Sequence, residues 1–105
     1  AQYVEVIHTN TAFLGYRHAC GDVDFYPNGG CFMPGCFTNT CSHSRSVEYL
    51  VSTVKYNHLN ANECSSIWQM KLNNCRGSLY PMGNSDLSKS RSGIFRVNTG
   101  REYPF

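Results

Sequence analysis
Apolar positions along the chain fall into patterns that predict a few short strands and one helix. In "YVEVIHT" (3–9), Val4, Val6 and Ile7 form a run rich in β-branched residues, which reads as a buried strand of the kind a parallel sheet carries. "VDFYPNGG" (23–30) reads as a short strand entering a Pro-Asn-Gly-Gly turn. Val47, Leu50, Val51 and Val54 fall at i, i+3, i+4 and i+7, the spacing of an amphipathic helix. Ser42 or Ser44 can cap its start and Asn57 can end it. "IFRVNTG" (94–100) reads as a last strand. Between these lie "NTAFLGYRHACGD" (10–22), a loop with glycine and polar breaks, and the cysteine-punctuated "CFMPGCFTNTC" (31–41). "NECSSIWQMKLNNC" (62–75) reads as a cysteine-closed loop, and 76–93 is turn-rich and polar. The order strand, strand, helix, strand predicts an α/β arrangement with much of its sheet missing.

A length of 105 residues fits one small domain or a piece of a larger one. A formal net charge of +2, with Lys and Arg scattered, argues against nucleic acid as a partner. No apolar stretch approaches the length of a membrane span. Six cysteines, an even number, point to an oxidising compartment and three disulfides, for which fifteen pairings exist. Zinc is the rival use of such cysteines, but no pair has C-x-x-C spacing and no H-x3–5-H pair follows. No metal or cofactor is expected.

The residue of chemical interest is His43 in "CSHSRSVEYL" (41–50), just ahead of the helix. A neutral imidazole there can accept a proton, as a general base must; it can equally cap the helix or fill a pocket. His8 ends a strand and can bond a neighbour, while His18 and His58 lie in polar surroundings. A hydrolytic base needs a nucleophile and an orienting acid. The chain has no G-x-S-x-G elbow, Ser42, Ser44 and Ser46 lack the glycines of a strained turn, and Asp22 and Asp24 have no evident route to the His43 ring. A self-contained triad is not expected.

Taken together, V-I-H-T, D-F-Y-P-N-G-G, P-G-C and C-S-H-x-R-S run in an order that resembles the pancreatic lipase family of α/β hydrolases, over nearly the whole chain. The resemblance places His43 on the family's catalytic histidine. It implies that residues 1–105 are the C-terminal third of an α/β-hydrolase catalytic domain. The serine and aspartate would then lie in an N-terminal chain of the same cleaved precursor. It implies a secreted, extracellular lipid esterase, with a phospholipid or other lipid as substrate. Family members that keep the fold and lose the triad, such as yolk-type storage proteins, are the alternative. The family's pattern pairs Cys36 with Cys41 and Cys64 with Cys75, leaving Cys20 with Cys31. Only Phe37 to Thr40 separate Cys36 from Cys41, where the family's lid is closed at its base. With the short loop at 9–22 and no sign of a C-terminal β-sandwich, that short lid resembles the arthropod phospholipase A1 branch. The strands at 3–9 and 94–100 are expected to pair with strands of the N-terminal part.

Overall fold
A computed structural model describes residues 3–11 and 18–105, so residues 12–17 of the loop expected at 10–22 lie outside the described residues. Strand β1 (Glu5–Ile7) is followed by β2 (Val23–Phe25), a 3-10 turn at Pro27–Gly29, and helix α1 (Asn39–Tyr56). Strand β3 (Asn60–Cys64), the short helix α2 (Ile67–Lys71), β4 (Leu79–Pro81) and β5 (Gly93–Arg96) complete the order. The five strands form one mixed sheet in the order β1-β2-β5-β3-β4. β1, β2 and β5 run parallel, whereas β3 is antiparallel to both β5 and β4. This mixed sheet with helices is of the α/β class.

The predicted strands are present but shorter, and three elements, β3, α2 and β4, fall wholly or partly where loops were expected. Ser66 accepts the Gln69 N–H and starts α2 inside the cysteine-closed segment. β3 forms from the polar run "NANEC", and β4 from a segment read as turn-rich, because antiparallel neighbours take up their backbone groups, with Ala61 and Cys64 turned inward. β5 lies between β2 and β3, so both its edges are occupied within this chain. The expectation that 94–100 pairs with strands from elsewhere is therefore corrected; of the two strands named, only β1 keeps an open edge among the described residues.

Helix α1 starts four residues before Ser42's neighbour His43. Its N-cap is Thr38, whose hydroxyl accepts the Cys41 N–H at 3.0 Å, not Ser42 or Ser44. Ser42 is buried and accepts the Met33 N–H instead. Asn57 ends the helix in the left-handed conformation, as expected. The apolar stripe used to find the helix does not face the sheet. Val47, Leu50, Val51 and Val54 are exposed, and Ser42, Tyr49, Ser52 and Thr53 are buried. The buried hydroxyl residues meet loop segments, Ser42 at Met33 and Thr53 at the Asn84 N–H, and Ser52 and Thr53 also bond within the helix: Ser52 donates to the Tyr49 carbonyl and Thr53 to that of Leu50. Tyr49 fills the space between helix and sheet, bonds Thr99 through its hydroxyl at 2.9 Å, and meets the Phe105 ring edge-on.

The core gathers Val23, Phe25, Tyr49, Met82 and Phe95, each fully buried. Phe25 and Phe95 are register partners on β2 and β5, with ring centroids 5.7 Å apart. The segment after β4 is tied back over β1 by the buried Lys89, whose ammonium meets Glu5 at 2.6 Å and donates to the Pro81 and Gly83 carbonyls.

Candidate active site
His43 lies in the first turns of α1, at the end of the sheet where the parallel strands β1 and β2 finish. In open α/β sheets the crevice outside these carboxyl ends is where ligands bind. The contact that places it there runs through the residues after β1. Thr9, itself buried, donates its hydroxyl to the His43 carbonyl at 3.2 Å. Asn10 donates to the Cys31 carbonyl and to Asn39 at the helix start. Ser46 donates to the same His43 carbonyl at 3.1 Å. The His43 side chain is exposed, and among the described residues its imidazole has no hydrogen-bond partner.

No nucleophile or acid of this chain completes it among the described residues. Ser42 and Ser46 are occupied by the backbone bonds given above. Asp22 accepts the Val4 N–H at 2.8 Å. Asp24 is buried on β2 and bonds His8 Nε2 at 2.9 Å, both side chains being almost fully enclosed. A carboxylate only accepts, so the imidazole nitrogen donates. His8 therefore bonds a neighbour, as read from the sequence. His58 Nε2 bonds the Pro104 carbonyl, and the exposed His18 lines a cavity of about 620 Å³ with Cys31 and Tyr26. A cavity of about 680 Å³ opens between β1, Leu50 and the 83–90 segment; His43 is not among its lining residues.

The pair His8–Asp24 was not legible from sequence, because sixteen residues separate them and only parallel pairing brings them together. The His8 ring stacks on Tyr26 with centroids 4.3 Å apart. Burial, with Asp24 and Cys20 close by, pushes the Tyr26 hydroxyl up to about 12. Cys20 brings a third potential metal donor to within 4.8 Å of His8 and Asp24. The Asp24 carboxylate is already engaged by His8 and by the backbone N–H groups of Cys20 and Gly21. That carboxylate therefore already has donors from the chain itself.

Two of the expected disulfides are formed, Cys36–Cys41 and Cys64–Cys75. The third is corrected: Cys20 and Cys31 are free thiols. Cys20 is exposed in the turn whose N–H groups bond Asp24, while Cys31 lines the cavity beside His18. Alkylation of the native protein without reductant is expected to label Cys20 and Cys31 and none of the other four; a Cys20–Cys31 cross-linked peptide in the digest would contradict this.

Comparison with known proteins gives a consistent answer. The family model described as Lipase matches residues 1–93. Lipase member H of Xenopus tropicalis is 40% identical over 84 residues, which cover 71% of this chain and 18% of that protein. Phospholipase A1 of Vespula vulgaris is 46% identical over 59 residues, covering 53% of this chain and 17% of that protein. Phospholipase A1 4 of Polistes dominula is 47% identical over 55 residues, 52% of this chain and 17% of that protein. The chain thus spans less than a fifth of the length of these relatives. With a match that runs through β1, the His43 turn and all but the last part of the sheet, the chain belongs to the lipase family.

Proposed function
We propose that this chain forms part of a secreted phospholipase A1-type lipid esterase and supplies His43 as its general base. The observation that carries this reading is the state of His43. Its backbone is fixed from two sides, and its exposed imidazole has no partner among the described residues, at the carboxyl end of parallel strands. In the reaction His43 takes the proton of a serine hydroxyl as that oxygen attacks the ester carbonyl. It then returns the proton to the departing alcohol, and repeats the exchange with water to release the acid. The serine and the orienting aspartate come from an N-terminal chain of the same precursor, completing an α/β-hydrolase domain of which these residues are the C-terminal third. Two surfaces fit such a partner: the open edge of β1, and the exposed stripe Val47, Leu50, Val51 and Val54 on α1. Leu50 and β1 border one cavity, which makes the two surfaces continuous. The two disulfides suit an oxidising, extracellular setting. No described helix is long and apolar enough to cross a membrane.

The substrate follows from the loop beside the site. The Cys36–Cys41 bridge closes a loop of four residues, with Phe37 almost fully exposed at its start. Such a loop is too short to roof over a cleft, so a polar headgroup can stay solvated while one acyl chain enters. The complete protein is expected to cleave the sn-1 ester of a phosphatidylcholine with distinguishable chains faster than a triglyceride emulsion, with no jump in rate at the micellar threshold. Preferential triglyceride hydrolysis would refute the phospholipase reading. Hydrolysis of neither, by protein containing both parts, would assign the chain to the catalytically inactive, storage-like members of the family.

A further inference from the structure
The segment from His8 to Thr11 links the sheet to the turn that carries His43. His8 is held by three successive residues of the neighbouring strand and its continuation. Its backbone N–H donates to the Phe25 carbonyl at 2.8 Å, its ring bonds Asp24 at 2.9 Å, and the same ring lies flat on Tyr26. Each of these partners is almost wholly buried. On the far side, the Thr11 N–H donates to the Gly30 carbonyl at 2.8 Å. Thr9 and Asn10, between these two fixed points, are the residues that reach α1. Asn10 meets Asn39 and Thr9 meets His43, positions four apart and so on one face of the helix.

We propose that Thr9 is a positioning residue for His43, held in register by the buried His8–Asp24 pair; this rests on His43 being the base. The imidazole has no side-chain partner among the described residues to orient it, so its distance to a reacting oxygen is set by where the helix start sits. A displacement of about 1 Å in a reacting group can cost on the order of 10²-fold in rate. Thr9 is the side chain that ties the His43 backbone to the sheet, and the His8–Asp24 pair fixes Thr9 one residue earlier. The pair touches no reacting atom: its two charged or polar heads bond one another and the turn at Cys20 and Gly21.

The test uses the complete protein with three substitutions: Thr9→Val, which keeps the shape and removes the donor; Thr9→Ser, which restores it; and His8→Asn. Thr9→Val is expected to lower kcat roughly tenfold, within the range that such misplacement allows, with KM unchanged. Thr9→Ser is expected to recover most of that loss. His8→Asn combined with Thr9→Val should lose less than the product of the single losses, since both act through one path. In protein with ¹³C-labelled histidine, the His43 ring signal should shift in Thr9→Val and return in Thr9→Ser. An unchanged kcat and an unchanged ring signal in Thr9→Val overturn the proposal. So does a loss that appears in KM, that Thr9→Ser does not restore, or that simply follows a lowered melting temperature. If His43→Ala itself leaves turnover intact, the base assignment fails instead, and the ring signal still decides whether Thr9 positions His43.

Discussion

Substituting His43 by alanine in the complete protein is expected to reduce phospholipid turnover to background while leaving the fold in place. Positioned proton transfer is worth about 10²–10⁴-fold, and the members of a serine triad fail together rather than additively, so the loss should reach at least the upper part of that range. The fold should tolerate the change because the side chain is exposed and its imidazole makes no hydrogen bond to any described residue. The bonds that matter locally go to the His43 carbonyl, which alanine retains. Alanine is also a strong helix former, so α1 should not fray. Initial rates on phosphatidylcholine, read beside thermal melting, separate the two effects. Turnover within tenfold of the parent protein would remove His43 from the reaction.

Much of this arrangement was legible because it rests on local rules. The β-branched run at 3–9 and the short run before the Pro-Asn-Gly-Gly turn at 23–30 gave strands, the spacing of Val47, Leu50, Val51 and Val54 gave a helix, and Asn57 gave its end. The face of that helix was not legible. Hydropathy ranks valine above serine, yet the sheet-facing side of α1 is built from Ser42, Ser52, Thr53 and Tyr49, whose hydroxyls are satisfied by nearby backbone or by Thr99. A small hydroxyl that bonds its own helix is inexpensive to bury. β3, "NANEC", was missed for a related reason: its identity comes from β4 and β5 on either side of it, not from its own composition. The chemistry divides in the same way. The two formed disulfides were reached through motifs that lie close together in sequence, as was the proposal for His43. His8–Asp24 depends on strand register, and the pairing of Cys20 with Cys31 was reached only as the remainder of a count.

The largest effect on stability is expected at Asp24, and its contrast with Asp22 makes the expectation sharp. The two carboxylates are two residues apart, but one is buried and the other is at the surface. Asp22 accepts a single exposed N–H, that of Val4. Removing it lets water take its place, and the cost should stay within about 1 kcal/mol, the net worth of an ordinary hydrogen bond. Asp24 accepts from His8 Nε2 and from the N–H groups of Cys20 and Gly21. With Asp24→Ala, His8 loses its bond to the carboxylate, and the turn at 20–21 loses its anchor. Hydrogen bonds to a buried charged group are worth about 1.5–3 kcal/mol each, and Asp24→Ala removes those from His8, Cys20 and Gly21 together, so a loss of about 3 kcal/mol or more is expected. The loss would also reach the site, since His8 fixes the segment that holds the His43 turn. Asp24→Asn should lie between the two: its amide oxygen can still accept from one donor, but its NH₂ group faces donors rather than acceptors. Urea unfolding of the complete protein and the three variants, followed by far-ultraviolet circular dichroism, gives the order directly. An Asp24→Ala midpoint no lower than that of Asp22→Ala would mean that the buried pair contributes nothing to holding this half of the sheet together.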